Sequence, residues 1–374
     1  EAKQALADRI EALGSAHALV EAQAGAKLQA VEEASEDAYE SDPALYDNAL
    51  VLTGVVRKIT VVPPIDAPVP GGPGSSTGEQ SPVVELPKDG SPLDEKTQEA
   101  VREANREQDV ILAGNGLEIL IPKGTLGEDT DVNRLIVDPG QATGRPGQVV
   151  ACVDEQGNLQ LVRWSVVTGE LVGYVVDRIG DYRILDNAKS FADLGEHWAL
   201  EDILFIASHG LFEGYADGQF APDERMTRAM FVTVLGRLAG IGTGAPDGAA
   251  FTDVEAGAWY GDFVRWASQQ GIVMGYDDGS FGVDDPITRE QMCVILMRFM
   301  QAFGIALEET QDIAFGDADA FSGWAAEAIR HCASVGLIGG MGDGCFDPDG
   351  LATRAQVAAI FARLIRLRIA QINP

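Results

Sequence analysis

The chain has 374 residues and a formal net charge of −31, from 58 acidic against 27 basic side chains. That balance argues against nucleic acid, whose phosphates are neutralised by a basic surface, and against docking on anionic lipid through a basic patch. It suits a soluble protein in a crowded or extracellular setting, and an apolar share of 46% leaves material for a core in each of two or three domains.

Residues 1 to about 40 are rich in Ala and Glu, with Leu6, Ile10, Leu13, Leu28 and Val31 at a loose helical spacing that Gly14 and Gly25 weaken. One or two helices are expected there, then a strand within 50–62. From Pro63 to Pro92 prolines recur among Gly and Ser, a composition that builds no core and predicts an extended linker. A short helix is expected near 94–108. Strand patterns follow: Leu117–Ile121, then Gln148–Val153 and 159–164 around the turn sequence at 154–158, then 166–167 and 171–172 around Thr168-Gly169, and finally 182–185. These predict a small antiparallel β domain within 93–187, a meander or a sandwich. Gly114 and Gly116 lack the third glycine and the following helix of a nucleotide fingerprint and read as a loop.

No apolar run approaches the roughly 18 residues that span a bilayer, so no membrane insertion is expected. The opening Glu1-Ala2-Lys3, without initiator Met or secretory signal, reads as a mature or excised form. Cys152, Cys293, Cys332 and Cys345 make no CxxC pair and no zinc spacing. Reduced thiols are expected, with a Cys332–Cys345 bridge as the alternative. His17, His197, His209 and His331 are scattered, none near a Ser or Cys nucleophile at a recognisable spacing. Neither catalytic residues nor a metal or cofactor are expected in this chain.

The C-terminal half repeats itself. Segments begin Phe191-Ala192-Asp193, Phe251-Thr252-Asp253 and Phe315-Gly316-Asp317, and each reaches a tryptophan: Trp198, Trp259 and Trp324. At common offsets from these come Gly210, Gly271 and Gly336, then the turns closing Asp217-Gly218, Asp278-Gly279 and Asp343-Gly344. Phe220, Phe281 and Phe346 follow, and then Thr227-Arg228, Thr288-Arg289 and Thr353-Arg354. The pattern predicts helix–loop–helix units. The first glycine ends one helix in left-handed geometry, the phenylalanine plugs the core, and the threonine caps a second helix with an apolar stripe. Trp198, Ile203 and Ala207 are expected on one face of the first helix. One unit is too small to bury its stripe, so three should close a shared core.

This order of motifs resembles the S-layer homology family, over about residues 190–367. The resemblance implies a three-pronged, pseudo-threefold spindle that binds secondary cell wall polymers, often with pyruvylated sugars, in grooves between repeats. It also implies a secreted, surface location on Gram-positive peptidoglycan. The family's Thr-Arg-Ala-Glu motif would supply Arg228, Arg289 and Arg354 to the grooves. This sequence departs from it: the glutamate is Met230, Gln291 and Gln356, the alanine is Glu290 in the second copy, and the proline found as Pro222 and Pro348 is Val283. The segment ending 180–184 resembles small β modules that precede such repeats.

The fold class expected is therefore mixed α+β: residues 1–62, a linker at 63–92, a helix and β domain at 93–187, and three repeats in 188–374 (190–240, 250–304, 314–367). The arginines either fork onto an acidic sugar beside a helix N-terminus or bridge a nearby aspartate. The tryptophans either stack on sugar faces or fill the core between lobes. Asp193, Asp253 and Asp317 either cap helices and bond loops or reach sugar hydroxyls, while Asp217, Asp278 and Asp343 shape turns. The three arginines, the three tryptophans, Asp193, Asp253 and Asp317, with Thr227, Thr288 and Thr353, make the candidate ligand set. The function expected is non-covalent wall anchoring. The alternatives are a self-associating S-layer or adhesive protein, or the anchor of an enzyme lying upstream.

Overall fold

The computed structural model describes residues 81–372 apart from 155, 243–250 and 256. The N-terminal helices, the strand expected at 50–62, His17 and residues 63–80 of the linker lie outside the described residues. Within the rest of that linker, Val83–Glu85 is a strand (β1) and Leu86 is buried. This corrects the reading of a linker running to Pro92. Pro82 and Pro87 flank β1 instead of interrupting it, as suits an edge strand that leaves some donors unpaired.

Helix α1 (Glu95–Glu107) is capped by Asp94, which accepts from the Thr97 N–H at 2.7 Å. Strands β2 (Val110–Gly114) and β3 (Leu117–Ile121) form a hairpin over Asn115 and Gly116, at φ 55° and 76°, the positive values that a two-residue primed turn needs. A Cβ on Gly116 would stand 2.8 Å from the Glu170 carbonyl oxygen. Next come β4 (Gln148–Val153), β5 (Leu159–Leu161), β6 (Ser165–Val167), β7 (Val172–Val175) and β8 (Asp181–Asp186). Sheet β5-β4-β8 is antiparallel, as expected. Sheet β1-β2-β3-β7-β6 is mixed, with β1 parallel to β2 and β3 parallel to β7, which corrects the expectation of a purely antiparallel domain. Parallel neighbours need crossovers, supplied by α1 in one case and by β4–β6 in the other, and local turn signals do not report them.

One face of the mixed sheet packs Leu112, Ile119 and Tyr174 against Val101 of α1. The opposite face, with Ile111, Leu120 and Val175, shares a core with the C-terminal helices. The contact there is close: a Cβ on Gly173 would meet Ile369 Cγ2 at 2.3 Å. Buried His209 also joins the two regions, with Nε2 2.9 Å from the Ser165 carbonyl oxygen and Nδ1 2.7 Å from that of Phe205.

The C-terminal region is helical: α2 (Leu200–Ser208) and α3 (Arg228–Leu238), α4 (Gly261–Gln269) and α5 (Arg289–Ala302), α6 (Ala326–Ser334) and α7 (Arg354–Ala370). Gly210, Gly271 and Gly336 end the first helix of each pair at φ 69°, 68° and 74°. Thr227, Thr288 and Thr353 cap the second, each accepting from the backbone N–H three residues on. The expected apolar stripes of the second helices are buried; in α3 burial runs nearly all round, with only Met230 and Arg237 not buried, while α5 and α7 keep a less buried side that includes Gln301 and Arg366. Helices surrounded by protein carry apolar residues all round. Trp198 does not share the face of Ile203 and Ala207, because it precedes α2 and points to solvent. All four cysteines are free thiols, and Cys332 Sγ lies 3.7 Å from the Cys293 carbonyl oxygen.

Candidate ligand clefts between the repeats

Three short segments just before the second helices bond in a closed cycle. Met226 N–H donates to Ala352, Ala352 N–H to Ile287, and Ile287 N–H to Met226. The N–H of Arg228 then donates to Asp285, that of Arg289 to Gly350 and that of Arg354 to Glu224. Each repeat therefore begins its second helix on the backbone of another, and the third returns to the first.

The arginine side chains follow the same cycle. Arg228 Nε donates to the Phe281 carbonyl at 2.9 Å and its Nη2 to Met274 at 3.1 Å. Arg289 donates to Phe346 and Gly339, both at 2.8 Å. Arg354 donates to Phe220 at 2.7 Å and Glu213 at 3.0 Å. Each guanidinium also lies 4.6 to 4.7 Å from the centroid of the next repeat's plug phenylalanine. The residues are only 5–6% exposed. Burial pulls their pKa values below the ordinary arginine range, partly offset by a tyrosine and carboxylates at Arg228 and Arg354 and by Cys293 and two aspartates at Arg289; an arginine stays charged regardless. Among the described residues none of the three pairs with an aspartate, the alternative expected from the sequence. Nη1 of each has no hydrogen bond to a described residue and is not sealed from solvent. Two donors of each guanidinium brace the fold.

The tryptophans settle differently from a core. Trp198, Trp259 and Trp324 are 66%, 59% and 56% exposed. Trp198 of the first repeat and Arg289 of the second line one cavity of about 630 Å³, floored by the third repeat's Gly339–Gly342 turn and by α7. Asp193, Asp253 and Asp317 are spent on loops. Asp193 accepts from the N–H groups of Phe220 (2.8 Å) and Ala221 (2.6 Å), and its two counterparts do the same in their own repeats. Asp217, Asp278 and Asp343 accept from the N–H two residues on and shape their turns.

The S-layer homology domain family matches residues 190–230, 250–293 and 314–358. This region carries three S-layer homology domains. An exoglucanase (XynX) of Acetivibrio thermocellus is 32% identical over 249 residues, covering 66% of this chain and 22% of that protein. An amylopullulanase of Thermoanaerobacterium thermosulfurigenes is 31% identical over 210 residues, 54% of this chain and 11% of its own length. A cellulosome-anchoring protein of Acetivibrio thermocellus is 27% identical over 154 residues, 40% and 34% of the two chains. The chain thus spans between 11% and 34% of the length of these relatives.

Within the S-layer homology repeats, the motif departures have structural answers. Gln291 and Gln356 stand where the motif has glutamate and complete capping boxes with Thr288 and Thr353, so an amide serves there as a carboxylate would. Met230 cannot, and Thr227 caps alone. Glu290 accepts from the Ser322 N–H and hydroxyl, tying the second repeat to the third. A further set of arginines was missed: Arg237, Arg298 and Arg363, at a common spacing beyond the first trio. Arg237 and Arg363 donate to the Leu211 and Leu337 carbonyls. The repeat alignment itself carried that signal.

Asp193→Ala is expected to destabilise the chain by about 1.5–3 kcal/mol, the worth of hydrogen bonds to a charged group, because Ala221 is held at φ 55° by one of them. Burial alone would raise the Asp193 pKa, but the Phe220 and Ala221 N–H groups outweigh it and set it below 3.8. The stability from a lowered carboxylate is fully present above its unfolded value and fades as pH falls through its folded one. Urea midpoints for parent and variant should differ at pH 7 and converge under strong acid. A difference that persists unchanged to pH 2 would refute the assignment.

Proposed function

We propose that the chain is a non-covalent cell-surface anchor whose three repeats bind secondary cell wall polymer. The observation that carries this is the threefold recurrence, within S-layer homology domains, of a buried guanidinium braced on the next repeat's carbonyls, with that of Arg289 lining a cavity. An exposed tryptophan lies next to the one such cleft described above. The cyclic bonding supports a pseudo-threefold spindle. A free Nη1 edge on a buried cation suits a carboxylate such as a pyruvyl group, and an exposed indole suits a sugar face. The negative charge of the chain opposes long-range attraction to an anionic polymer, so affinity comes from short-range contacts multiplied over several clefts and many polymer repeats. The small share of each relative that is covered, and the names exoglucanase and amylopullulanase, favour a cargo domain in a longer protein, enzymatic in some cases; the repeats themselves are non-catalytic.

The chain is expected to co-sediment with purified Gram-positive walls and to stay in solution with walls stripped of polymer by hydrofluoric acid. Equal sedimentation with both would overturn the ligand assignment.

A further inference from the structure

The three arginine clefts are unequal. Beside Arg354, the Tyr215 ring lies 5.0 Å from the guanidinium carbon, its hydroxyl donates to Glu224, and Glu213 pairs with Arg237 at 3.2 Å. Beside Arg228, the Tyr276 ring also lies at 5.0 Å, with Asp285 and Gln291 flanking its hydroxyl. Beside Arg289 the matching positions are Met341 for the tyrosine, Gly350 for the carboxylate and Gly339 for Glu213. No aromatic lid covers this guanidinium from that turn. Asp347 and Asp317 act on it electrostatically, and neither lines the cavity. In a chain with 58 acidic residues, this cavity is lined by two arginines, Arg289 and Arg363, two glutamines, Gln311 and Gln356, and no carboxylate at all. Gln356 spends its carbonyl on the Thr353 N–H, which orients its amide, and the NH2 group has no hydrogen bond to a described residue. The equivalent Gln291 accepts from the Thr288 N–H in the same way and stands beside Tyr276.

We infer that the cleft formed by Trp198, Arg289, Gln356 and Arg363 is the principal binding site of this chain, and that it takes one sugar residue bearing an anionic group. The other two guanidiniums are screened by a tyrosine and its carboxylate. The anion meets Arg289 Nη1 and Arg363, the Gln356 amide donates to the same group or a neighbouring hydroxyl, and Trp198 covers a sugar face. This rests on the anchoring reading above and goes beyond it by ranking the clefts.

The test is co-sedimentation of the full chain with native Gram-positive walls. Trp198→Ala is expected to weaken binding at least about tenfold, whereas Trp259→Ala and Trp324→Ala, in the other two clefts by repeat order, change it less than about threefold. All three side chains are exposed, so the fold should survive. Gly339→Glu installs the carboxylate that the first repeat carries as Glu213. A Cβ there meets nothing within 4 Å, and the variant is expected to lose about tenfold or more. If Trp259→Ala or Trp324→Ala costs as much as Trp198→Ala, the ranking is wrong and the anchoring reading stands. If Gly339→Glu binds as tightly as the parent, the ligand group there is not anionic. If the parent itself ignores the polymer, the anchoring reading fails first.

Discussion

Arg289→Ala is expected to lower the unfolding free energy by about 3 kcal/mol, separately from any effect on ligand. The side chain satisfies two carbonyls of the third repeat, Phe346 and Gly339, and leaving a buried acceptor unpaired costs roughly 1–3 kcal/mol. The lost contact with the Phe346 ring adds about 1 kcal/mol, and lost packing of the stem adds more. Arg289→Lys should recover less than half, because an ammonium cannot fork onto two carbonyls. Denaturant midpoints measure this directly, and a midpoint unchanged in Arg289→Ala would show that the brace is not needed. Loss of wall binding in an arginine variant is therefore informative only beside a melt of the same protein. Trp198→Ala and Gly339→Glu avoid that ambiguity.

Phe346→Ala should cost more, about 3–5 kcal/mol, the range for a fully buried phenylalanine whose cavity cannot collapse. Its ring lies 5.3 Å from that of Phe315 and 5.5 Å from that of Phe321, with the Arg289 guanidinium 4.6 Å from its centroid. Surrounding groups held by the turn of Asp317 are poorly placed to fill the void. The effects of Phe346→Ala and Arg289→Ala should fall short of additive in the double variant, since each removes the partner of the other. Strict additivity would mean that the ring and the guanidinium contribute independently.

Much of the site's frame was legible before any coordinates. The threonine caps, the left-handed glycines and the Asp-Gly turns are local devices, written in one residue type at one offset and repeated three times. Local chemistry did not reveal which neighbour each arginine would bind. Arg354 reaches back to Phe220 and Glu213 across the whole repeat region, a pairing that exists only once the cycle closes. The tryptophans were ambiguous for a related reason: an indole suits a core or a surface equally, and its place before the first helix, not its spacing, decided for solvent.

Composition, turn chemistry and the triple repeat determined by themselves that the C-terminal half is helical, built from three capped helix–loop–helix units, and that the preceding segment carries hairpins. These properties depend on contacts between residues a few positions apart. Only the tertiary structure decided that β1 joins the mixed sheet in parallel, that Gly173 lets the sheet lie against α7, and that the cavity beside Arg289 is lined without a carboxylate. Such features arise where distant segments meet, and the free energy that selects among those meetings is a sum over contacts that no local pattern encodes.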